Sequence, residues 1–121
     1  MIYFKPHEFK CSCGVCGMGL KDMDERLIQR LDIARQIAKT PFTINSAVRC
    51  LSHNAAVGGI ANSAHLTGNA VDIRCKDPHK RYLIIDALMR SGFKRIGVYD
   101  TFIHVDNDDS KPAQVVWLDG G

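Results

Sequence analysis

The stretch that most restricts this chain is Ser63-Ala64-His65-Leu66-Thr67-Gly68-Asn69-Ala70-Val71-Asp72. It sets an imidazole and a carboxylate seven residues apart, with a glycine between them. Ile73, Arg74 and Cys75 continue an alternating, β-branched pattern, which predicts a strand in or beside Asp72. Gly58-Gly59-Ile60-Ala61-Asn62-Ser63 is turn-rich, so His65 is expected where a loop enters the structure. Gly68 permits the bend that brings the two side chains together. A histidine and a carboxylate presented this way are two of the three protein ligands of a catalytic zinc, whose fourth position stays open for water.

A third ligand is available in Phe102-Ile103-His104-Val105-Asp106. Period-two alternation puts Ile103 and Val105 on the core face of a strand, and His104 and Asp106 on the other. His65, Asp72 and His104 then form a set of two histidines and one aspartate, with Asp106 close behind. Taken alone, His104 beside Asp106 also fits a surface pair or a hydrogen-bonded core histidine. The combination of the two segments is what favours a metal.

At 121 residues the chain is expected to be one domain over residues 1–121, with a Cys-rich segment, residues 1–20, packed on it. Its 45% hydrophobic and 24% charged residues are those of an ordinary folded protein. A formal charge of +3 suits an anionic polymer but is too small to argue for nucleic acid. No apolar run is long enough to span a bilayer, so no membrane partner is expected, and a monomer is. From Met1 to Pro6 no secretory signal is visible, which implies synthesis in the cytoplasm.

Cys11, Cys13 and Cys16 follow a Cys-x-Cys-x-x-Cys spacing that lacks the paired units of a zinc ribbon. Three readings stay open: a zinc completed by Cys50, Cys75 or His7, disulfides to Cys50 and Cys75, or five reduced thiols. Residues 21–39 read as an amphipathic helix capped by Asp22 or Asp24. Its apolar stripe is Leu27, Leu31, Ala34 and Ala38, and Glu25, Gln29, Asp32 and Gln36 face outward. Pro41 stops it. Phe42 to Asn45 predicts a short strand, and His53-Asn54 a short helical turn. Residues 78–91 predict a second helix, with Tyr82, Ile85, Leu88 and Met89 on one face and Gly92 ending it. Residues 95–100 and 102–106 predict a hairpin, and 114–118 a last strand. The fold class is therefore α+β: a small, mostly antiparallel sheet with two main helices.

The motif Ser-x-His-x-x-Gly-x-Ala-x-Asp, met at Ser63, His65, Gly68, Ala70 and Asp72, resembles the signature of zinc D-alanyl-D-alanine carboxypeptidase-like peptidases. Ser46-Ala47-Val48-Arg49, Asn54 and Gly58-Gly59 extend the likeness, with Ala47-Val48 where relatives often carry Gly-Tyr. It covers residues 42–106 and implies a Hedgehog/DD-peptidase-like fold and a Zn2+ cofactor held by His65, Asp72 and His104. It also implies a peptidoglycan stem peptide as substrate, cut by carboxypeptidase or endopeptidase action. Action on the cell wall after release, as by a phage endolysin, or as part of a phage particle follows from the same likeness.

Arg49, otherwise a surface arginine, is implied to bind substrate and stabilise transition-state charge. Ser63 is implied to bind substrate or steady the His65 loop. Relatives place an acid three residues before the last histidine, where this chain has Thr101. Asp106 is the expected general base, with orientation of a ligand imidazole as its other reading and Asp100 as the other carboxylate. The missing acid also keeps open a non-catalytic zinc-containing module that binds cell wall or protein, such as a phage tail component.

Overall fold

The structure is a computed structural model and describes residues 3–118; Met1, Ile2 and residues 119–121, with the expectations that fall on them, lie outside the described residues. Its helices are α1 (Glu25–Ala38), α2 (Leu51–Ala56) and α3 (Pro78–Arg90). Its strands are β1 (Thr43–Ser46), β2 (Ala70–Arg74), β3 (Arg95–Val98), β4 (Phe102–Asp106) and β5 (Val115–Leu118). Single 3-10 turns occupy Pro6–Phe9, Leu20–Asp22 and Ala64–Thr67. The class is α+β, as the sequence predicts.

The five strands form one sheet in the order β1-β2-β4-β3-β5, antiparallel except that β5 runs parallel to β3. Val71, Ile73, Ile96, Ile103 and Val105 alternate onto one face, where they join Leu27, Leu31, Ala34, Ile84 and Leu88 in the core. Each of the Val, Ile and Leu side chains among them contributes about 1.5–3 kcal/mol on burial. The opposite face carries a row of register partners running Ser46, Asp72, His104, Gly97, Trp117 across all five strands. A bulge between Ile44 and Ser46 brings Ser46 into that row.

Helix α1 begins later than the periodicity predicts. Lys21 and Asp22 belong to the preceding 3-10 turn, and Asp24 caps α1 by accepting from Leu27 N–H at 3.0 Å. It ends at Ala38, because Lys39 turns left-handed at φ 54° before Pro41 is reached. The face assigned to α3 requires correction. Ile84, Ala87 and Leu88 are buried, whereas Tyr82 and Met89 are exposed at 71% and 56%. Apolar residues occur nearly all round this helix, so its periodicity does not single out a face.

The N-terminal segment is anchored by Phe4 and Phe9, which pack on each other at 5.6 Å between ring centroids and, through Phe4, on Phe42. Among the described residues no helix is long and apolar enough to cross a membrane.

Candidate metal centre

Asp72 and His104 meet because β2 and β4 pair in register, Asp72 opposite His104. His65 arrives on the 3-10 turn Ala64–Thr67, which Ser63 caps by accepting from His65 N–H at 3.2 Å. Gly68 closes the turn at φ 72°, and a Cβ there would lie 1.9 Å from the Asp22 carbonyl oxygen. Its own carbonyl accepts from Asp24 N–H at 2.8 Å, so this one glycine docks the His65 turn onto the start of α1.

The neighbours of each imidazole show which nitrogen can meet a metal. His65 Nδ1 donates to the Ala47 carbonyl at 2.6 Å, which makes Nε2, 3.2 Å from Asp72 Oδ1, the nitrogen able to bind a metal. Both nitrogens of His104 face carboxylates, Nε2 at 2.7 Å from Asp106 Oδ2 and Nδ1 at 2.9 Å from the same Asp72 oxygen, so that with its proton on Nε2 the ring offers Nδ1 to a metal. In the neutral tautomers that can bind a metal, two imidazole lone pairs and a carboxylate oxygen face one another and repel unless a proton or a metal cation lies among them. Zinc bound tetrahedrally to such ligands at 2.0–2.1 Å spaces its donors roughly 3.3 Å apart. The residues present therefore fit a metal ion in donor type and spacing.

The local electrostatics point the same way. With protons rather than a metal on the nitrogens that face Asp72, burial raises its carboxyl pKa, but hydrogen bonds from His104 and His65 outweigh it and hold the group well below the ordinary carboxylate range. Burial opposes charge on His104, yet its bonds to Asp106 and Asp72 raise its pKa above the usual imidazole value. This pocket draws positive charge toward its floor, a demand that a divalent cation meets.

The remaining expected residues are placed as follows. Arg49 donates from Nη2 to Asp72 Oδ2, from Nε to Ser46 Oγ and from Nη1 to Asn54 Oδ1, at 3.3, 3.1 and 3.3 Å. It thus grips the Asp72 oxygen turned away from the imidazoles. Ser63 is buried and also lines the cleft. Asp106 is 2% exposed, and its Oδ1 accepts from Arg95 Nε at 2.8 Å and Asp108 N–H at 3.0 Å while Oδ2 serves His104. Asp100 is exposed and lies outside the cleft, and His53 is not part of the donor cluster.

The cleft over the centre has a volume of about 640 Å³. Beyond the expected residues its wall includes Tyr99, Lys111, Trp117 and Arg95. Trp117 covers Gly97, where a Cβ would come within 2.6 Å of the indole, and its ring lies 5.5 Å from that of His104. Arg95 stacks over Trp117 at 5.0 Å. Lys111 bonds the Asn62 carbonyl and Asp108, both at 2.7 Å, and so joins two loops. Arg95, Gly97 and Tyr99 alternate in sequence, the one signal that could have placed them on the site face.

A histidine pair and an aspartate converge at the floor of a cleft, on one face of an α+β sheet, as a candidate metal centre. Residues 2–106 match the model of the family described as Peptidase M15, and the chain belongs to that family. Peptidases of this family are zinc-dependent in general. The resemblance carried by Ser63–Asp72 is thereby borne out. Among curated proteins none matches the chain.

Proposed function

We propose that this protein is a zinc-dependent peptidase that hydrolyses a peptide bond in the stem peptides of bacterial peptidoglycan, acting on the wall after release or from within a phage particle. The observation that carries the reading is the convergence of His65 Nε2, His104 Nδ1 and Asp72 Oδ1. Zinc held by these three atoms supplies an activated water and polarises the scissile carbonyl. Ala47 and Asp106 keep the two imidazoles in the ligand tautomer, and Arg49 turns Asp72 so that Oδ1 faces them. The remaining N–H groups of Arg49, with Lys111, favour an anionic peptide in the cleft, and Trp117, Tyr99 and Ile60 offer it apolar walls. Ser63 acts by steadying the His65 turn.

A second reading has a specific observation behind it. The carboxylates lining the cleft are Asp72 and Asp106, and both have their oxygens engaged. No described carboxylate stands free there as a general base, which favours a module that binds wall peptides without cutting them. Incubation of the zinc-loaded protein with purified peptidoglycan separates the two. The peptidase releases new amino groups, and His65→Ala abolishes that release. Binding of the wall with no new amino groups establishes the module instead.

A further inference from the structure

We propose that Cys11, Cys13, Cys16 and Cys50 hold a structural zinc ion, apart from the cleft, that fastens the N-terminal loop to the chain just after Arg49. The four sulfurs lie within 4.8 Å of one another, with Cys50 Sγ 3.9 Å from both Cys11 Sγ and Cys13 Sγ. Four thiolates at about 2.3 Å from a tetrahedral zinc are roughly 3.8 Å apart, whereas a disulfide needs about 2.05 Å. Cys50 stands equally near two sulfurs and singles out neither as a disulfide partner. The arrangement is four atoms about one point rather than two pairs.

The backbone supplies what such a site requires. Every one of the four sulfurs accepts at least one main-chain N–H. Cys50 N donates to Cys11 Sγ and His53 N to Cys50 Sγ, both at 3.4 Å. Val15 N and Cys16 N donate to Cys13 Sγ at 3.5 and 3.3 Å, and Met18 N to Cys16 Sγ at 3.4 Å. These donors suit thiolates, whose negative charge they offset, and the thiols lose their protons to solvent as the ion binds. Gly14 and Gly17 take φ 75° and 78°, with nothing within 4 Å of a Cβ at either. They are therefore needed for conformation rather than space, and they fold the loop back so that its own amides reach its sulfurs.

The loop has little else to hold it. Val15 is 90% exposed, and Cys16 and Gly17 are exposed, so no apolar burial orders residues 12–17. Cys75, the fifth cysteine, lies outside the cluster, with its Sγ directed to the Asp77 carbonyl. His7 is outside it too. Four ligands and one unrelated thiol account for the odd count.

The test uses His65→Ala, which removes a donor from the cleft and leaves all five cysteines, so its outcome does not depend on the peptidase reading. As purified, this variant should retain about one zinc per chain, and X-ray absorption should show four sulfur neighbours at about 2.3 Å. Its cobalt form should show sulfur-to-cobalt charge-transfer bands. Adding Cys13→Ser and Cys16→Ser should remove the ion, and adding Cys75→Ser should not. Iron in place of zinc, zinc with nitrogen or oxygen neighbours, or a metal-free chain whose mass shows disulfides would each overturn the proposal. If the double serine variant fails to fold, the absorption spectrum of His65→Ala decides alone.

Discussion

Asp106 shows how much depends on where a single carboxylate points. It shares a strand face with His104, yet it reaches the Nε2 side of that ring, while the donor atom Nδ1 faces Asp72. Its role in this account is to hold the ring's tautomer and direction. Burial raises its pKa, but the hydrogen bond from His104 outweighs that and keeps it ionised. Asp106→Asn, which preserves shape but not charge, should weaken zinc binding in the cleft roughly 10–100-fold. Equilibrium zinc titration checks this. Hydrolysis should survive in that variant once zinc saturates it. Loss of activity at full occupancy would instead make Asp106 the proton acceptor.

The elements impose their own requirements, and two glycines expose them. Gly68 must turn left-handed and also admit the Asp22 carbonyl, so Gly68→Ala meets both conformational strain and a clash. The strain alone costs about 1–2 kcal/mol. Chemical denaturation should therefore find the variant less stable by at least that amount, with zinc affinity reduced because the His65 turn no longer docks on α1. Gly97→Ala should act on the other side of the site by lifting Trp117 from the sheet. Since Trp117 is the only tryptophan, its fluorescence reports the movement directly. A red-shifted emission and a stability loss of about 1–3 kcal/mol are expected. An unchanged spectrum would mean that β5 does not hold the indole over His104.

A contrast between near and distant contacts governs what the whole chain reveals in its sequence. His65, Asp72 and His104 were legible because a ten-residue motif and an alternating strand carry them, and strand alternation fixes the facing side. Trp117 was not, because its place depends on the strand order and on β5 running parallel to β3, neither of which is locally encoded. Cys50 was one of three open partners for the N-terminal cysteines, and only the docking of a loop 37–39 residues away distinguishes it. The buried face of α3 was misassigned because its apolar residues surround the helix. His65, Asp72 and His104 are proposed as a zinc site in the cleft. Zinc bound per chain, measured by titration on the metal-stripped protein and on His65→Ala and His104→Ala, tests it most directly. Each variant should bind about one zinc fewer than the parent chain. Equal binding by all three would contradict the claim and leave the cleft without a metal.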